Sequence, residues 1–272
     1  MGKDGFLQRL FGGSSRGEGR ASWRMVSKPF GELPRSDSEV TRDVFRFTVH
    51  FVERAPLDVT EAEALWSAAD MIGTVAAERR AALQRVGMAV GHSGRQLPPE
   101  LDRLLHPSPG IGLLANCRSQ RITVLEGGES ELQTGPMLKT AELILPGDPE
   151  PRHFEAVRFV VRLRAKRLEE DWVRVTLLPE IHHGPVVQRH VPDTHGNWRI
   201  TTSQSVVPLY ALGVQTDLTP SDHLILGRHP NRTDGLGKWF FSAFTEDGLV
   251  TAERLVILRL DGVGVLRPAY RE

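Results

Sequence analysis

The sequence predicts an α+β fold dominated by β-structure. An N-terminal strand and a helix pair come first, then antiparallel hairpins forming a sandwich or an open, barrel-like sheet. Three observations carry this. The first is the segment Val44–Val52, where Phe45, Phe47, Val49 and Phe51 alternate with Arg46, Thr48 and His50. Period-two alternation is the mark of a half-buried strand, because successive side chains point to opposite faces. The second is a pair of apolar-alternating stretches, Arg121–Glu126 and Glu129–Gly135, flanking Gly127-Gly128. The third is Val157–Leu168 followed by Val173–Pro179 across Glu169-Glu170-Asp171. Each of the last two reads as a hairpin closed by a tight polar turn.

Taken in order, residues 1–40 read as a disordered basic leader. Gly12-Gly-Ser-Ser-Arg-Gly-Glu-Gly19 has linker composition, and Lys3, Arg9, Arg16, Arg20, Arg24, Lys28 and Arg35 give a positive excess. Phe6, Leu7, Leu10 and Phe11 form a short apolar patch, a weak membrane-surface signal. Residues 41–110 form a mixed part. Thr60 and Glu63 have capping-box spacing, and Leu65, Trp66, Ala69 and Ile72 follow at helical intervals. A second helix is expected over Ala76–Val86, a short strand over Met88–Val90, and a third helix from Pro98-Pro99 to Leu105.

Residues 111–266 form the antiparallel β part, and 41–266 can be one continuous domain. Beyond the two hairpins, strands are expected at Leu138–Leu145, Trp198–Thr202, Val206–Leu218, Leu224–Gly227, Trp239–Thr245 and Leu255–Leu260. Turn dipeptides separate them at Pro146-Gly147, His195-Gly196, Asp234-Gly235 and Asp247-Gly248.

Bulk properties narrow the function. Formal net charge is zero, so no global field attracts nucleic acid, which is not expected as a partner. The lone Cys117 excludes a disulfide-stapled scaffold. No stretch reaches the ~18–20 apolar residues of a membrane-spanning helix, and the start has no export signal as written. The chain by itself therefore reads as cytoplasmic.

Candidate chemistry is sparse. His182-His183, His190, Asp193 and His195 put imidazole and carboxylate groups in one segment, the donor set that holds zinc; His183, His190, Asp193 and His195 are the metal candidates. A polar loop after a strand explains the same residues. No Gly-x-Ser-x-Gly elbow joins a strand to a helix: the one literal match, Gly13-Ser-Ser-Arg-Gly17, falls in the linker-like leader. Ser221-Asp222-His223 cannot form a triad, since consecutive strand side chains diverge, and reads as a turn. Cys117 beside Arg118 is a candidate low-pKa thiol or a packing residue. Asp234-Gly-Leu-Gly-Lys238 lacks phosphate-loop spacing. The long polar loop around it, with Arg228, His229, Asn231, Arg232 and Lys238, is the candidate interaction loop. Glu169, Glu170 and Asp171 sit at a turn and are expected to be solvated. No catalytic residue and no cofactor is expected.

The order of elements resembles the secretin domain of bacterial type II and III secretion systems. The resemblance rests on Phe45–Glu53, an alternating strand ending in an acid, and on Ile122-Thr-Val-Leu-Glu-Gly-Gly128 with Gly135. It continues with Val173-Arg-Val-Thr-Leu-Leu-Pro-Glu180 and with Leu212–Gly227, a strand pair ending in an apolar run and glycine. It covers roughly residues 41–230. The chain also resembles uncharacterised bacterial proteins that share the Leu-Trp…Ala-Asp helix and the Pro-Glu-Ile-His-His-Gly type of segment. Two features depart from the secretin pattern. The segment between Gly135 and Val157 is short, and Gly227-Arg228 stands where secretins have a double glycine. The resemblance implies a non-enzymatic structural or interaction module at the cell envelope, with self-association into a homo-oligomer or a protein partner, and leaves membrane contact open. Two alternatives stand beside it. One is a soluble ligand- or protein-binding β-sandwich using the 227–238 loop. The other is a metal-dependent enzyme using the His182–His195 segment.

Overall fold

The computed structural model describes residues 41–57, 59–70, 73, 75–106, 116–192, 198–232, 234–245 and 249–266. The leader, Ile72, Asp193, His195 and the expected turns at 195–197 and 247–248 lie outside them. The described elements are β1 (Arg42–Arg54), α1 (Val59–Ser67), α2 (Ala77–Arg85), β2 (Met88–Ser93), α3 (Pro99–Leu105), β3 (Asn116–Leu125) and β4 (Ser130–Leu143). They continue with β5 (Arg152–Arg167), β6 (Val173–Pro192), β7 (Trp198–Pro208), a 3-10 turn (Tyr210–Leu212), β8 (Val214–Leu218), β9 (His223–Arg228), α4 (Leu236–Phe240), β10 (Ser242–Phe244) and β11 (Val250–Leu266).

The strands form two antiparallel sheets. In the first the order is β2-β9-β11-β1-β3, with β10 also on β11; in the second it is β4-β5-β6-β7, with β8 on the same edge of β6 as β7. The β-dominated class with two antiparallel sheets is therefore as the patterning predicts, and neither sheet closes into a barrel.

The sheets pack face to face. Phe45, Phe47 and Val49 of β1, with Leu224, Leu226, Val256, Leu258 and Leu260, meet Phe159, Val161 and Leu163 of β5 and Val173, Val175 and Leu177 of β6. Leu83 of α2 and Leu236 and Phe240 of α4 join this cluster. The other face of the first sheet is buried too, where Val52, Ile225, Leu255 and Ile257 receive Leu65 and Trp66 of α1 and Leu101 and Leu104 of α3. The first sheet is thus covered on both faces, which is why Thr48, on the polar side of the β1 alternation, is buried and bonded to Asp261 Oδ2 at 2.7 Å.

Four expectations need correction. β3 and β4 are not a hairpin: β3 pairs along its whole length with β1, and β4 pairs with β5. The chain crosses from one sheet to the other at Gly127-Gly128, because Val124 and Leu132 must face the same core from opposite sides. The stretch Val206–Leu218 is two strands, parted after Pro208 by the 3-10 turn. Trp239–Thr245 is not one strand, since Trp239 and Phe240 belong to α4. Thr60 lies inside the first turn of α1 and is not its cap. The β5–β6 hairpin is as expected, in register from Arg167↔Val173 to Arg158↔His182.

Candidate interaction surface

β6 outruns its partner. β5 accompanies it only to His182, and β8 only from Val173 to Leu177. Beyond a register shift between His183 and Val187, β6 has β7 alone among the described residues, over six residue pairs from Val187↔Ser203 to Pro192↔Trp198. At the rise of an antiparallel strand this is a two-stranded ribbon ~20 Å long. On the other side of the fork, β4 and β5 pair with each other from Met137↔Arg158 to Leu143↔Arg152. The fork is shaped by two backbone irregularities. Gly184 adopts φ 76°, a left-handed conformation that costs glycine little, and Ala156 of β5 adopts φ 49°.

A single side chain ties the fork together. The buried Gln204 of β7 donates from Nε2 to the carbonyls of Ala156 (2.7 Å) and Gly184 (2.8 Å), and its Oε1 accepts from Arg158 Nε at 2.6 Å. Three strands are thereby joined where sheet hydrogen bonds lapse. Beside it lies a charged layer. Glu180 Oε2 accepts from His182 Nε2 at 3.0 Å and from Arg162 Nη2 at 2.8 Å, while Arg162 and Arg164 both pair with Glu129. Burial pushes the Glu180 carboxyl pKa up; the hydrogen bonds from His182 and Arg162 pull it further the other way, and it ends below the ordinary carboxylate value.

The ribbon itself is unusually apolar for something so exposed. Trp198 is 70% exposed, Ile200 63% and Val186 61%. Trp198, Ile200 and Thr202 share one ribbon face, with Ile200 directly opposite His190. An isolated two-stranded hairpin is marginal in water, and clustered exposed apolar side chains mark contact surfaces. Sequence reading found the Trp198–Thr202 strand but not this role.

The residues singled out from sequence scatter. His182 turns to Glu180, and the ring of His183 stands edge-on to Phe154 at 5.0 Å. His190 is exposed on the ribbon, and Asp193 and His195 fall outside the described residues. Among the described residues no group of three or more potential ligands converges. In the candidate loop, Arg228 pairs with Glu253, which also takes Arg54 at 3.3 Å. His229 is buried; its backbone N–H donates to Gly87 O at 2.8 Å and its Nδ1 accepts the Asn231 N–H at 3.2 Å. Asn231 and Arg232 are exposed, and Lys238 lies over the rings of Trp239 and Phe244 at 5.9 and 5.5 Å. Burial raises the Cys117 thiol pKa, which favours the unreactive form. Asp222 closes the turn before β9, accepting from Thr219 N (2.7 Å) and Oγ1 (2.8 Å).

No protein-family model matches this chain, and no curated protein matches it. Among solved structures, the type II secretin GspD from enteropathogenic Escherichia coli is similar over 84% of this chain and 69% of that one, at 12% identity and a TM-score of 0.24. GspD in the ETEC pilotin–secretin complex with AspS is similar over 84% of this chain and 50% of that one, at 11% identity and a TM-score of 0.21. The resemblance is weak, and overlaps of this quality do not define a shared fold.

Proposed function

We propose that this chain is a non-enzymatic, secretin-like structural module that self-associates through the β6–β7 ribbon, at the cell envelope. The observation that carries the reading is the ribbon itself. Among the described residues it leaves the sandwich without a third strand, and it presents Trp198 and Ile200 to solvent, with exposed Val186 at its root. A second copy supplies the missing cover, either by packing on the apolar face or by pairing along the free edge of β7. Secretin-like assembly is the arrangement that the order of sequence elements favours. Membrane contact is compatible with it: among the described residues no helix is long and apolar enough to cross a membrane, which says nothing about crossing by strands.

Light scattering on the full chain, with and without liposomes, tests this. A concentration-dependent rise in mass, or assembly on lipid, is the expected result. A monomer at every concentration, indifferent to lipid, overturns it and leaves a soluble binding module.

A further inference from the structure

A second surface lies apart from the ribbon, at the open edge of β3. The sheet ends are treated unequally. The outer edge of β2 is bridged by Asp70, which exchanges backbone hydrogen bonds with His92 at 2.8 and 3.0 Å. The edge of β4 is interrupted by a register shift between Gln133 and Met137 that contains Pro136. Proline and bulges are standard ways of spoiling an edge for pairing. β3 has neither. Its ten residues run in unbroken register with β1, without proline, glycine or bulge, and Asn116, Arg118, Ser119, Gln120 and Arg121 are exposed. Among the described residues, every second N–H and C=O along that edge has no ladder partner.

The surroundings specify what fits. Where β3 and β4 diverge from the crossover, a cleft of about 630 Å³ opens, lined by Asn116, Arg118 and Gln120 on one wall and Glu131 and Gln133 on the other. An added strand would send alternate side chains into this cleft and the rest over Ser119 and Arg121. Arg254, which also lines the cleft, is already engaged by Glu53 and the Thr134 carbonyl. Among the described residues, Arg118 and Arg121 have no ion-pair partner. They face opposite sides of the strand: Arg118 shares the cleft with Glu131 and with Glu53, which Arg254 holds, and Arg121 lies on the other face, so each set of side chains on an incoming segment meets a cation. Two copies of β3 laid edge to edge would set arginine against arginine, which disfavours self-pairing.

We propose that the β3 edge binds an extended polypeptide segment bearing carboxylates, which adds to the sheet as a sixth consecutive strand beside β3. Main-chain hydrogen bonds supply the affinity, and Arg118 and Arg121 supply the selection for acidic side chains.

Fluorescence anisotropy of the full chain with labelled synthetic peptides tests this. The probes are a peptide of about eight residues alternating Glu and Thr, its Lys and Thr counterpart, and a Glu/Thr peptide N-methylated at every residue. The acidic peptide is expected to bind and the basic one not. The N-methylated peptide should lose binding, because neither of its edges can donate hydrogen bonds to β3. The double variant Arg118→Glu, Arg121→Glu should weaken binding by about tenfold or more, with unchanged circular dichroism. Undiminished binding of the N-methylated peptide would reduce the contact to charge attraction and overturn strand addition. Indifference to the arginines, or no binding of the acidic peptide up to about 1 mM, overturns the proposal outright. None of these readouts depends on whether the ribbon self-associates.

Discussion

Replacing Trp198 and Ile200 together by threonine isolates the ribbon face from the rest of the molecule. Threonine keeps the strand preference, so the backbone is not the variable. Both parent side chains are mostly in water, at 70% and 63% exposure, so the monomer loses little when they go. Exposed substitutions of this kind change stability by less than ~0.5 kcal/mol, or ~1–2 °C in Tm for a chain of this size. The effect on association is different. A tryptophan offers up to ~230 Å², so the exposed part is ~160 Å², worth ~4 kcal/mol if fully covered at ~25 cal/mol/Å². The exposed part of Ile200 adds ~1–2 kcal/mol. Association costs consume part of this, leaving a loss of ~2–4 kcal/mol, or ~30- to 1,000-fold in the self-association constant. Sedimentation velocity across a concentration series, with thermal unfolding alongside, reads both quantities. Assembly identical to the parent would refute the reasoning, as would a Tm drop of more than about 5 °C, which would mean these side chains are packed within the monomer.

Three further perturbations follow from the geometry. Gln204→Ala removes three hydrogen bonds and strands two half-buried carbonyls, so it should cost about 2–4 kcal/mol; hydrogen exchange should rise first in residues 185–192 and 198–203, and uniform deprotection would deny Gln204 its role at the fork. At Gly135, a Cβ would lie 2.5 Å from the Trp239 carbonyl oxygen and 2.9 Å from Phe159 Cβ. Gly135→Ala should therefore lower the urea midpoint by an amount equivalent to about 1–3 kcal/mol, and a neutral outcome would mean that the α4 segment yields freely. Burial is the first cause that holds His50, His223 and His229 below the usual imidazole value. Their folded pKa values lie under the unfolded ~6.5, so the unfolded chain takes up protons first as pH falls. Stability should be full above about pH 7 and decline below about 6.5. His223→Asn should shrink that decline, and a urea midpoint flat from about pH 7.5 to 5.5 would contradict the assignment.

Local pattern made most strands readable and left their partners hidden. The alternation of Phe45, Phe47 and Val49 needs no tertiary information, and β1 follows it. Gly127-Gly128 shows the limit. A glycine pair between alternating strands suits a hairpin and a sheet-to-sheet crossover equally, and the choice lies in which edges of β1 and β5 remain to be paired. Trp239 and Phe240 favour a strand by intrinsic preference, yet they lie in α4, where Phe240 joins the core, Trp239 packs against it and Gly237 sits too close to the Gly87 carbonyl to carry a Cβ. For the candidate site, the density of histidines was legible and their directions were not. His182 and His183 diverge, one to Glu180 and one to Phe154, and Arg228 finds a carboxylate 25 positions away at Glu253. Gln204 had no local signal, because its role exists only once three strands meet.

The ribbon and the β3 edge should also separate by salt, and this bears on whether the chain has one contact surface or two. Ribbon association rests on Trp198, Ile200 and Val186, whose burial releases no ions and is not weakened by added sodium chloride. Binding at β3 depends on Arg118 and Arg121, both exposed, so their attraction is screened once the Debye length falls from ~10 Å near 0.1 M to ~3 Å near 1 M. Peptide binding should therefore fall several-fold over that range, while the assembled mass of the chain holds or rises. If both decline together, a single charged interface explains both, and the apolar reading of the ribbon fails. If peptide binding is untouched by salt, main-chain pairing alone carries it and the arginines do not select the partner.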